Sequence, residues 1–119
     1  MPFKPLLNAL VERVPGAQGA IIADWEGESV EQVGIMDDYD LKVIGAHKGV
    51  ILHSMRDVVD RLGDDDLKEI VITTRQAQTV IMPVTEDYYL VLTLDRSDML
   101  GRALLEARRC IQALYQEIA

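Results

Sequence analysis

From Tyr39 to Leu62 the chain reads YDLKVIGAHKGVILHSMRDVVDRL, without a proline, after Asp37, Asp38 and Asp40 and before Gly63. Carboxylates at the start and glycine at the stop are the end signals of a long helix. At roughly 100° per residue, Leu41, Ile44, Ile51, Leu52, Met55, Val58, Val59 and Leu62 share one broad apolar face. Gly45 and Gly49 line one flank of it. Val43 and Val50 stand nearly opposite, among polar residues, so this helix has more than one thing to touch.

The other elements follow from the same alternation of apolar and polar positions. Phe3, Leu6, Leu7, Leu10, Val11 and Val14 recur at helical spacing and predict a short helix over Phe3 to Val14, stopped by Pro15-Gly16. AQGAIIAD, Ala17 to Asp24, reads as a strand, Trp25-Glu26-Gly27 as a turn and Glu28 to Val33 as an edge strand. After the long helix, Asp64-Asp65-Asp66 reads as a solvated loop. Strands are expected over Leu67 to Thr74, Thr79 to Val84 and Tyr88 to Leu94, with Pro83 at a strand end or bulge. Ser97 caps a last helix from Asp98 to Ile118, with a stripe at Leu100, Leu104, Ala107, Ile111, Leu114 and Ile118. The order is αββαβββα. Hairpin-length turns make the five-stranded sheet largely antiparallel, and helices cover its faces, so the class is α+β.

The length, 119 residues, suits one domain spanning the chain. A net charge of −8 argues against nucleic acid and anionic lipid and favours a basic protein surface as partner. A single cysteine, Cys110, excludes an internal disulfide and suits a reducing cytoplasm. No apolar run reaches the length of a membrane span and no signal core precedes the first helix.

Chemistry-bearing patterns are scarce. There is no phosphate-binding GxxxxGK[ST]. His47 and His53 point about 120° apart on the helix and cannot share a metal. Cys110 reads as a buried filler, and the serines lack a histidine and carboxylate in a recognisable order. No convergent polar cluster marks a small-molecule site, no metal or cofactor is expected, and the chain reads as non-catalytic. Contact surface remains. Gly45 and Gly49, poor helix formers, mark a close backbone approach, either to the protein's own sheet or to the same helix of a second copy. Val43, Ala46 and Val50 form a small apolar patch beside His47, His53, Asp57 and Arg61. The run Ile70-Val71-Ile72-Thr73-Thr74 implies a strand covered on both faces. At a sheet edge it would invite another strand.

Val14-Pro15-Gly16-Ala17 through Gly19-Ala20-Ile21-Ile22-Ala23-Asp24 and Gly27, then Pro83-Val84, Tyr88-Tyr89-Leu90-Val91-Leu92 and Leu100-Gly101-Arg102-Ala103, resemble the Roadblock/dynein light chain domain family across essentially the whole chain. The turn Arg75-Gln76-Ala77-Gln78 departs from it where members often carry glycine. The resemblance implies a non-catalytic homodimer of profilin-like layers, its two sheets made continuous, with middle helices paired on one side and terminal helices on the other. It places Leu41, Lys42, Gly45, Gly49, Leu52, Arg56, Ile70, Ile72 and Thr74 in the dimer interface. It also implies a bacterial regulator of a Ras-like small GTPase, seated on Val43, Ala46, His47, Val50, Ser54 and Asp57. The alternative within the fold is a scaffold in a motor or signalling complex, without effect on GTP turnover. Arg56 and Arg61 are available, but the resemblance assigns no arginine finger; remodelling of the GTPase's own switch segments is the implied mechanism.

Overall fold

The computed structural model describes residues 3–24, 26, 28–95 and 100–118, leaving aside the side chains of Asp38 and Leu41. Eight elements follow in the expected order: α1 (Phe3–Arg13), β1 (Ala17–Asp24), β2 (Ser29–Gly34), α2 (Asp38–Arg61), β3 (Ile70–Thr73), β4 (Ala77–Pro83), β5 (Tyr88–Asp95) and α3 (Leu100–Ile118). The expected Ser97 cap and the Trp25 and Gly27 turn positions lie outside the described residues.

The strands form one antiparallel sheet in the order β2-β1-β5-β4-β3. β1 and β5, distant in sequence, pair at its centre, which is why Ala20, Ile21, Ile22 and Ala23, with Leu90 and Val91, are buried whichever face they point to. Alternation then sends their side chains to two cores. Ala20, Ile22, Leu90, Leu92 and Leu94 meet Phe3, Leu7, Leu10, Ala103, Ala107 and Leu114 beneath α1 and α3. Ile21, Ala23, Tyr89 and Val91 meet Leu52 beneath α2.

Helix ends follow the sequence signals. Leu62 closes α2 in helical geometry, and Gly63 follows at φ +106°, a left-handed turn that a side chain would strain. At the other end Asp37 is the N-cap but makes no side-chain capping hydrogen bond, so the aspartates there act on the helix dipole. The turn before β4 needs no glycine. The Thr74 hydroxyl donates to the Ala77 carbonyl and accepts its N–H, both at 3.2 Å, beside a 2.9 Å backbone bond from the Thr74 N–H. Pro83 ends β4, as its missing N–H requires.

Two expectations are corrected. β3 begins at Ile70 rather than Leu67, and it is not covered on both faces: Ile70 and Ile72 turn toward the α2 core, whereas Val71 is 37 % exposed on the other face. The stripe of α3 is also displaced, with Ala103, Glu106, Ala107, Cys110 and Leu114 at its buried centre and Leu100, Leu104, Ile111 and Ile118 at its margins. Glu106 is buried because Arg13 of α1 and Arg109 hold its carboxylate, at 3.9 and 3.1 Å. Arg102 Nε donates to the Arg13 carbonyl at 2.7 Å, fastening α3 to the end of α1.

Candidate interaction surfaces

α2 rests on β1, β2 and β5, and the two glycines explain how closely. Both are buried. The methyl of an alanine at position 45 would lie 3.2 Å from Ile21 Cδ1, and at position 49 it would collide with the Tyr89 hydroxyl and lie 2.8 Å from Cζ. The helix backbone thus lies directly over the Tyr89 ring, and the hydroxyl donates to the Gly45 carbonyl at 2.8 Å. Gly45 and Gly49 therefore serve an approach to the chain's own sheet, the first of the two alternatives their spacing allows.

Burial, reinforced by the nearby Asp24 carboxylate, pushes the Tyr89 phenol up from 10.0 to about 12. In the unfolded chain Tyr89 loses its proton near pH 10, while the folded chain holds it to about 12. Stability from this group is intact below pH 10 and is lost as pH rises through 12. Base titration of unfolding is expected to show that loss, and Tyr89→Phe to flatten it; equal slopes in both proteins would refute the assignment.

With the glycines and Leu52 facing inward, the rest of α2 divides into two surfaces. The outward face carries His47, Val50, Ser54 and Asp57, all exposed, with Val43 and Ala46 half-buried. Val50 is 67 % exposed. Ala46, His47, Gly49, Val50, His53 and Ser54 line, with Glu26 of the β1–β2 turn, a shallow hollow of about 400 Å³. All six positions of the expected partner surface are thus on one side of the helix. The hollow adds Glu26 and Gly49, which sequence reasoning did not place there, and includes His53, which it set beside the patch. The approach of the β1–β2 turn to the helix becomes visible only in three dimensions.

On the second surface the β3 edge was expected, but the exposed aliphatic flank of α2 was not. Lys42 borders a hollow with residues 29–32 of β2. On a helix the flank opposite Lys42 carries Ile44, Ile51, Met55, Val58 and Leu62, and so faces the β4–β3 half of the sheet. Met55, Val58 and Leu62 are exposed by 41 %, 48 % and 76 %. Beside them Ile70 and Ile72 are half-buried on β3, whose outer edge pairs with no strand among the described residues.

The self-association positions expected on α2 need correcting in this light. Gly45, Gly49 and Leu52 are buried inside the protomer and cannot line an interface. Lys42 stands on the opposite flank, beside β2, and half-buried Arg56 borders a polar hollow with Asp60, Leu67 and Thr85. The side chain of Leu41 lies outside the described residues. Ile70 and Ile72 remain on the open edge, and Thr74 sits just past it with its hydroxyl engaged in the turn.

Reactive groups offer little. Cys110 is buried with its thiol 3.8 Å from the Leu6 carbonyl, and burial pushes its pKa up to about 11, away from a nucleophilic thiolate. Among the described residues no cluster of three His, Cys, Asp or Glu is placed to hold a metal ion, and no helix is long and apolar enough to cross a membrane.

The architecture recurs in solved structures. A Roadblock/LC7 domain from Streptomyces avermitilis superposes with a TM-score of 0.87 at 18% identity, over 95% of this chain and 94% of that one. Myxococcus xanthus MglB gives 0.87 at 14% identity, over 98% and 94%. The gliding protein MglB from Thermus thermophilus gives 0.86 at 20% identity, over 98% and 90%. Among curated proteins none matches the chain. The family model of the Roadblock/LC7 domain matches residues 5–94. The chain belongs to the Roadblock/LC7 domain family.

Proposed function

We propose that this protein is a homodimeric, non-catalytic regulator of a Ras-like small GTPase, and that residues 1–119 act as a single domain. The observation that carries the dimer is the coincidence of two open surfaces: the edge of β3, which pairs with no strand among the described residues and whose Ile70 and Ile72 face the α2 core, and the exposed aliphatic flank of α2. A second copy related by a two-fold axis satisfies both at once, adding β3 to β3 and burying Met55 and Val58 against their counterparts. The dimer interface is then Ile51, Met55, Val58, Leu62, Ile70 and Ile72.

Dimerisation sets the outward faces of the two α2 helices side by side as a platform, with Val43, Ala46, His47, Val50, Ser54 and Asp57 of each copy on it. Its charge suits a basic partner surface. The stretch 37–66 carries eight aspartates against Lys42, Lys48, Arg56 and Arg61. Family membership supports a GTPase as that partner, and the likeness to the gliding protein MglB suits a bacterial motility or polarity setting in the cytoplasm. The platform acts by holding the GTPase's switch segments where their own groups align.

The test is GTP turnover by a Ras-like small GTPase from the same source, measured with and without this protein. Turnover is expected to rise at least tenfold, and Val50→Glu with His47→Glu to abolish both rise and binding while leaving the fold intact. Binding without any change in turnover would select the scaffold reading; neither binding nor acceleration would refute the regulator.

A further inference from the structure

The sheet has two outer strands, β2 and β3, and their free edges are built differently. β3 pairs with β4 in unbroken register, and among the described residues no side chain accepts from one of its backbone N–H groups. β2 carries an extra residue. Ile22 faces Glu31 while Ala23 faces Ser29, so Val30, 42 % exposed, is a bulge that interrupts the ladder and bends the strand.

The backbone bonds show which groups of β2 point outward. The Ile35 N–H donates to the Gln18 carbonyl at 3.0 Å, and the next pair along is Gly19 with Gly34. Bonded and non-bonded pairs alternate in an antiparallel ladder, so Val33 and Glu31 bond inward to β1 and the Gln32 N–H points away from it. That outward N–H is already taken: Glu31 Oε1 accepts it at 3.1 Å. The Ser29 hydroxyl donates to Gln32 Oε1 at 2.6 Å and ties that side chain to the strand. Lys4 of α1 and Lys42 of α2, helices on opposite faces of the sheet, border the same polar hollow along residues 29–32.

We infer that the β2 edge is a stop, built from the Val30 bulge, the Glu31 cap and the two lysines, that prevents a further copy from adding to the sheet. A two-fold dimer through β3, the reading on which this inference rests, leaves β2 at both ends of the continuous sheet. Unprotected, each end would template another dimer, and the sheet would grow into a ribbon. Pairing β2 with β2 of a second copy would instead displace the carboxylate from the Gln32 N–H and bring four lysines together. Assembly therefore closes at two copies.

The test opens the edge. A variant that deletes Val30 and combines Glu31→Val with Lys4→Thr and Lys42→Thr is compared with the wild type by sedimentation velocity, with circular dichroism to check the fold. Species at multiples of the dimer mass are expected for the variant alone, while Glu31→Gln, which keeps an acceptor oxygen, stays at the wild-type size. Where the deletion unfolds the protein, the three substitutions alone carry the test. The cap has its own readout: Glu31→Val should speed amide hydrogen exchange at Gln32 by about fivefold or more. A folded opened variant of wild-type mass, or a Gln32 amide indifferent to Glu31→Val, overturns the stop. A monomeric wild type would contradict the dimer alone; the opened variant should then pair two protomers through β2, and a variant that stays monomeric overturns the stop as well.

Discussion

Replacing Gly49 by valine is expected to cost the protein a large part of its stability, lowering its melting temperature by about 8 °C or more. The side chain would enter space held by the Tyr89 ring, whose Cζ lies 2.8 Å from where a Cβ would stand. Overpacking of this kind costs about 1–3 kcal/mol. Tyr89 is fully buried, so pushing it aside also breaks its buried hydroxyl's bond to the Gly45 carbonyl, a further loss of about 1–3 kcal/mol. Against a total stability of about 5–15 kcal/mol, that is a large fraction. At roughly 4 °C per kcal/mol for a domain of this size, the melting shift follows.

Gly49→Ala separates the two effects. It gains about 1 kcal/mol of helix propensity but still meets Tyr89, so it should destabilise, and less so when combined with Tyr89→Phe. Gly101 is the control. Nothing lies within 4 Å of a Cβ there, and Gly101→Ala in α3 should stabilise by up to about 1 kcal/mol. A Gly49→Ala protein as stable as Gly101→Ala, or a strictly additive Gly49→Ala/Tyr89→Phe pair, would show that α2 does not sit over Tyr89 as described.

The second large effect concerns assembly rather than folding. Met55→Glu with Val58→Glu should convert a dimer into a folded monomer. Both side chains are exposed in the protomer, so the charges cost its fold little. In the dimer each is lost twice, and because about half of each side chain is already covered in the protomer, burying the rest contributes about 0.7–1.5 kcal/mol apiece. Every 1.4 kcal/mol is about a tenfold change in dissociation constant, so the weakening should reach about a hundredfold or more. A double variant with unchanged mass and unchanged circular dichroism would place the interface elsewhere.

Much of this fold was legible in the sequence because its signals are local. Periodicity located all three helices and all five strands, Gly63 and Pro83 marked their ends, and the joint spacing of short motifs pointed to the family. Hidden from the sequence was the orientation of α2. Apolar periodicity favours turning the widest aliphatic face inward, yet the sheet beneath carries a tyrosine, and only Gly45 and Gly49 let the helix pass over it. The small residues therefore face in, and Met55, Val58 and Leu62 are left outside. That rotation is why Gly45, Gly49 and Leu52, expected at an interface, are buried within the protomer, while the positions around Val50 stand open on the outer side. Glu106 escaped notice because its partner Arg13 is remote in sequence. Thr74 was named only as an edge position, because its hydroxyl closes the turn before β4 where family members often carry glycine.

The most direct measurement is the mass of the wild-type protein in solution by light scattering at micromolar concentration. A value of twice the 13.3 kDa protomer is expected, falling to the protomer mass when Ile72→Pro blunts the β3 edge. A wild-type protein that remains a 13.3 kDa monomer, with the β3 edge and the α2 flank open to water, would contradict self-association and the platform built on it.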